Sequence, residues 1–109
     1  MNETTGALSG LKIVACSTAQ AGTVPYMLMA DLGAEVIKIE TPGKGDNNRK
    51  SGFLEKEIGS FFETNNRGVK SLTLNLKSEK GQKILHSLIK DADVFLSLIH
   101  ISEPTRHCL

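Results

Sequence analysis

Two short apolar runs set the frame for this chain. Lys12-Ile13-Val14-Ala15-Cys16-Ser17 is rich in β-branched residues and bounded by turn residues, which reads as a buried strand. Glu35-Val36-Ile37-Lys38-Ile39-Glu40 is a second strand, mostly apolar with charge at its ends. Between them Val24, Leu28 and Leu32 recur at i, i+4 and i+8, with Met27 beside them and Gly33 following. That spacing predicts a helix of about ten residues with one apolar face, Pro25 in its first turn and Gly33 as its stop. Thr18 to Thr23, small and polar, is the expected loop from strand to helix. Strand, helix, strand in this order predicts a parallel pair with a right-handed crossover.

The same logic extends along the chain. Thr41 to Gly59 is polar and rich in Gly and Lys, and no period emerges; a loop of that length in a compact domain is either functional or partly disordered. Ser60-Phe61-Phe62 opens an apolar spot, and Asn65-Asn66-Arg67-Gly68 signals a turn. Ser71-Leu72-Thr73-Leu74-Asn75-Leu76 alternates strictly, the mark of a half-exposed strand. Ser78 is a fitting N-cap for a last helix, whose stripe is Ile84, Leu85, Leu88 and Ile89. Gly81 weakens that helix by roughly 1 kcal/mol relative to Ala, so close packing is expected at it. Ala92-Asp93-Val94-Phe95 begins a further strand. The expected class is α/β: Rossmann-like βαβ units on a mainly parallel sheet.

Composition narrows the function. The 109 residues make one small domain or a piece of a larger one, with 39% hydrophobic and 23% charged residues, the balance of a globular chain. Thirteen Lys and Arg against twelve Asp and Glu leave a net charge of +1, which argues against nucleic acid as a partner. No apolar run approaches the roughly 20 residues of a membrane helix, and Met1 to Thr5 lacks the start of a signal peptide. Cys16 and Cys108 form no framework, so a reducing, cytoplasmic setting is expected.

Three places offer chemistry. Ser17 to Gly22 lies between strand and helix, where open α/β sheets bind ligands and a helix N-terminus meets anions. It is not GxGxxG, and an ordinary strand-to-helix turn is the plainer reading. Gln20 can donate and accept hydrogen bonds there. Pro42-Gly43-Lys44-Gly45-Asp46 with Arg49 either grips a phosphate or forms a solvated loop in which Arg49 pairs with Asp46. Asn66-Arg67-Gly68-Val69-Lys70-Ser71, with Lys77 beyond, suits an anion or is plain surface charge. Cys16 reads as a small core residue, Tyr26, Met27 and Met29 as helix packing, and His86 as a polar-face residue without a metal-spaced partner.

Together these segments resemble the class III CoA-transferase family (the CaiB/BaiF type), which includes formyl-CoA and carnitine CoA-transferases and α-methylacyl-CoA racemase. The resemblance runs from Leu8-Ser9-Gly10-Leu11-Lys12-Ile13-Val14 through Ala21-Gly22 to Leu32-Gly33-Ala34-Glu35-Val36-Ile37-Lys38-Ile39-Glu40. Pro42, Gly45-Asp46 and Arg49, Asn66-Arg67-Gly68, Lys70 to Lys77, Gly81 and Ala92 to Phe95 complete it. It implies an incomplete Rossmann-like large domain, of which residues 1–95 are the N-terminal part. It implies acyl-CoA and a carboxylic acid as substrates, with CoA handed over through intermediates on one Asp, or proton movement at an acyl-CoA in racemase members. No permanently bound cofactor, no metal and an interlocked homodimer are also implied. By position, Gln20 and Ala21 match the loop beside the CoA thioester, and Leu74, Asn75, Leu76 and Lys77 match the segment against the CoA nucleotide. Thr41 stands where some members place an arginine on CoA, and Val69 replaces a frequent lysine. No catalytic residue is expected here: the nucleophilic Asp lies further along, and Asp31, Asp46, Asp91 and Asp93 do not match it.

Leu96-Ser97-Leu98-Ile99-His100-Ile101-Ser102-Glu103-Pro104-Thr105-Arg106 resembles the in-frame translation of a common transposase sequencing adapter. The expectation is a native chain that stops near Phe95 and a non-native, adapter-derived tail at 96–109; the alternative is an edge strand ending at Pro104. His100, His107 and Cys108 are therefore assigned no chemistry. Two rivals to the family reading stand: a self-contained nucleotide-binding module in the same crevice, and a fragment without function.

Overall fold

The computed structural model describes residues 6–16, 19–50, 52, 54–55 and 58–97, with the backbone alone at 19–22 and 54–55. The first three elements are β1 (Lys12–Cys16), α1 (Ala19–Asp31) and β2 (Glu35–Glu40). After them come β3 (Leu54–Glu55), β4 (Ile58–Gly59), α2 (Ser60–Asn65), β5 (Lys70–Thr73), α3 (Glu79–Lys90) and β6 (Val94–Ser97). Four strands form one parallel sheet in the order β5-β2-β1-β6. The α/β class and the parallel sheet are as expected. Ile13 pairs with Val36 on one side and Val94 on the other, which makes β1 a central strand.

Alternation along β1 sorts the core into two layers. Ile13 and Ala15 join Tyr26, Ala34 and Val36, with Met29 and Ala30 of α1 packed against them. Val14 and Cys16 join Ile39, Leu74 and Leu85, with Leu88, Ile89 and Phe95 alongside. Helices thus cover both faces, as a parallel sheet requires.

α1 departs from the expected helix in two ways. It starts at Ala19, so Pro25 sits inside it, and among its described side chains Thr23, Tyr26 and Met27 are buried. The expected apolar face is turned outward: Leu28 is 49% and Leu32 48% exposed. The reason is that α1 is apolar nearly all round, so spacing alone could not choose a face. The Met and Tyr packing is as read.

α3 is capped as expected: the Ser78 hydroxyl accepts from the Gly81 amide at 3.0 Å. Leu85 is buried, while Ile84 of the expected stripe is exposed. Gly81 is required by close approach, because a Cβ there would lie 2.0 Å from the Asn75 carbonyl oxygen. β5 is shorter than the alternating run, ending at Thr73. The expected featureless loop 41–59 instead contains a 3-10 turn at Asn47–Lys50 and the antiparallel β3–β4 pair. None of the described helices is long and apolar enough to cross a membrane.

Candidate functional site

The parallel strands end together, and at their carboxyl edge lies a cleft of about 290 Å³. The end of β1 contributes Cys16, β2 contributes Ile39 and Glu40, the following turn contributes Thr41 and Pro42, and Leu74 to Lys77 close it from beyond β5. Open α/β sheets bind ligands in this position. A larger hollow, about 470 Å³, is walled among the described residues by the Gly43–Lys50 segment alone. A dent within one loop is a weaker site than a cleft built by three elements.

The cleft's far wall is held rigidly. The Leu74 amide donates to the Glu40 carbonyl at 3.0 Å, extending the β2–β5 contact one step past the strand. The Asn75 carboxamide oxygen accepts from the Lys77 amide at 3.0 Å, and the Asn75 carbonyl accepts from the Ser78 amide at 3.1 Å and hydroxyl at 3.0 Å. Gln82 of α3 donates to the Leu76 carbonyl at 2.9 Å. Ile39, Leu74 and Cys16 are buried side chains, so the base of the cleft is apolar. Cys16 is buried, as its apolar run implied.

Four of the six residues expected to meet CoA, namely Leu74, Asn75, Leu76 and Lys77, line this one cleft. Gln20 and Ala21 lie in the first turn of α1 rather than in a loop, and their side chains fall outside the described residues. Ser17 and Thr18 fall outside them as well. The basic turn is engaged elsewhere: Arg67 pairs with Asp31 at 2.8 Å and Lys70 with Glu35 at 3.3 Å, both at the surface. His86 is exposed. Among the described residues, no three His, Cys, Asp or Glu side chains gather where a metal ion would sit.

Beside the cleft stands a cluster that sequence reasoning missed. Lys38 and Glu40, two apart on β2, share the face opposite Ile39 and are both buried. Lys38 pairs with Asp46, and both side chains are about 1% exposed or less. Its ammonium also donates to the Asn66 carboxamide oxygen at 2.9 Å and lies 5.1 Å from the Phe62 ring centre. Glu40 takes both arms of Arg49, from Nε at 2.8 Å and Nη2 at 2.7 Å. It also accepts from the Asp46 amide at 2.8 Å and the Ser71 hydroxyl at 2.5 Å. Arg49 stacks on Phe62 at 4.2 Å.

Arg49 therefore pairs with Glu40, not with Asp46 as the loop reading had it, and neither pair is a loose surface contact. Burial raises the Glu40 carboxyl, but the hydrogen bonds from Arg49, Ser71 and the Asp46 amide outweigh it and hold the group at about 2. Burial, with Asp46 and Glu40 nearby, pushes the Tyr26 hydroxyl well above its ordinary range. The missed signal was the i, i+2 spacing of Lys38 and Glu40, which puts both on one side of an otherwise apolar strand.

The sequence model of CoA-transferase family III matches residues 8–106. Cinnamoyl-CoA:phenyllactate CoA-transferase of Clostridium sporogenes is 38% identical over 102 residues, 89% of this chain and 24% of that protein. Succinyl-CoA:glutarate CoA-transferase of Homo sapiens is 42% identical over 91 residues, 82% of this chain and 20% of that protein. The crystal structure of a CaiB/BaiF family protein from Brucella suis matches with a TM-score of 0.83 at 30% identity, over 94% of this chain and 28% of that one. The chain spans between a fifth and a quarter of the length of these curated relatives. With the match running over nearly the whole sequence and the fold shared, the chain belongs to CoA-transferase family III.

Proposed function

We propose that these residues are the N-terminal CoA-binding portion of an enzyme that moves CoA from an acyl-CoA to a carboxylic acid. One observation supports this above the rest: Leu74, Asn75, Leu76 and Lys77 meet Cys16, Ile39 and Pro42 in a single cleft at the strands' carboxyl edge. At about 290 Å³ the cleft is at the small end of ligand sites, so it receives one part of CoA rather than the whole molecule. Its apolar base suits the adenine ring or the pantetheine arm, and the Lys77 ammonium suits a phosphate.

The carboxylates here do not serve as the acyl-carrying nucleophile in this reading. Asp46 is bound to Lys38, Asp31 to Arg67, and Asp93 accepts from the Lys12 amide at 2.9 Å. The nucleophilic Asp belongs to the remainder of a longer, cytoplasmic protein, which acts as an interlocked dimer without a resident cofactor. Residues 1–95 alone are then inactive. Residues 96–109 are read as adapter-derived, although the family match reaches residue 106. Resequencing from an independent library decides between these: the same codons within a longer frame would make the tail native.

Calorimetric titration of the full-length protein with CoA and with NAD tests the reading. CoA should bind the tighter of the two, and Lys77→Glu should weaken it about tenfold, the scale of one charge-assisted contact. Preference for NAD would overturn the reading.

A further inference from the structure

Resting on the CoA cleft above, we infer that Glu40 and Arg49 are positioning residues for it: their two-armed pair sets the turn that forms one of its walls. The turn is Thr41-Pro42-Gly43-Lys44-Gly45, and Thr41 and Pro42 line the cleft. From Gly43 to Lys50 the chain has no apolar side chain at all, so hydrophobic burial cannot hold it in place.

What holds it is ionic. Glu40, the last residue of β2, lines the cleft, and its carboxylate, on the face opposite Ile39, grips Arg49 with both oxygens and the Asp46 amide with one. Asp46 in turn reaches Lys38 within the sheet. The backbone closes the same turn, with the Gly45 amide donating to the Thr41 carbonyl at 3.2 Å. Turn and pair are fitted to each other at Gly45, whose φ is +70°. A Cβ there would stand 2.4 Å from Glu40 Oε1 and 3.0 Å from Arg49 Nε. Only glycine accepts both that backbone angle and that approach.

One buried and one half-buried ion pair are a costly way to hold a loop, since apolar residues of similar size often stabilise as well or better. They do give one defined arrangement. A bidentate Arg–carboxylate fork fixes direction as well as distance, which is what a binding wall needs.

The test uses the full-length protein and the variants Arg49→Met and Arg49→Lys, with CoA affinity by calorimetry and amide hydrogen exchange as paired readouts. Losing the fork should leave the turn in place only about a tenth of the time, raising the apparent Kd about tenfold in Arg49→Met. Arg49→Lys keeps the charge without the fork and should fall between Arg49→Met and the unchanged protein. The Gly45 and Asp46 amides should exchange faster in both variants while Val14 and Ala15 of β1 stay protected. A purely structural role would instead speed exchange across the sheet and leave the affinity of folded protein unchanged, and that result overturns the inference. Unchanged affinity in both variants with β1 protected overturns it too. Failure of the unsubstituted protein to bind CoA overturns the cleft reading and the inference with it.

Discussion

On one side of β2, Ile37 and Ile39 meet Leu85, Leu88 and Ile89 of α3. On the other, Lys38 and Glu40 meet Asp46, Arg49, Tyr26 and Phe62. One strand thus carries an ordinary apolar core and a buried ionic cluster back to back. The difference follows from what covers each side. α3 brings a stripe of aliphatic side chains, which bury area without regard to direction. From Gly43 to Lys50 the segment after β2 has no apolar side chain to offer, so it docks through hydrogen-bonded charges that must be matched one to one.

The contrast makes the two sides break differently. Asp46→Ala should have the largest effect, because it strands the Lys38 ammonium among buried groups: a loss of about 3–5 kcal/mol in a denaturant titration of the chain. Replacing both partners, as Lys38→Met with Asp46→Leu, should recover most of that loss. If the double variant is as unstable as the single one, the pair is not the source of the effect. Leu85→Ala, on the apolar side, should cost about 2–5 kcal/mol through lost burial and the cavity left behind. No second substitution on the ionic side should relieve it.

Acid separates the sides further. Glu40 has its carboxyl lowered from 4.5 to about 2 in the folded chain, so its contribution is complete above 4.5 and fades as the pH falls toward 2. Roughly 1 kcal/mol should be gone by a pH of about 3.5. In Glu40→Gln this part of the pH dependence should vanish, whereas Leu85→Ala should shift the whole curve without changing its slope. A Glu40→Gln curve parallel to that of the unsubstituted chain would contradict the assignment.

Much of the fold was legible because the signals were local. β1 and β2 stood out as β-branched runs, Ser78 as a cap, and Gly81 as a site of close packing, whose neighbour in the structure is the Asn75 carbonyl. The segment Leu74 to Lys77 was marked by family resemblance, and it does line the cleft. The face of α1 was misread because its apolar residues lie all around the helix, and only the sheet beneath it selects Tyr26 and Met27 over Leu28 and Leu32. The pairing of Arg49 was misread because sequence nearness favoured Asp46, while the end of β2 brings Glu40 within reach.

Periodicity and turn chemistry, which depend on neighbours within a few residues, determined the parallel βαβ scaffold and the place of the crevice at the strand ends. The partners of the buried charges are different in kind. Lys38 with Asn66 and Glu40 with Ser71 join residues far apart along the chain. Their pairing depends on which strands lie side by side, so only the tertiary structure decided it.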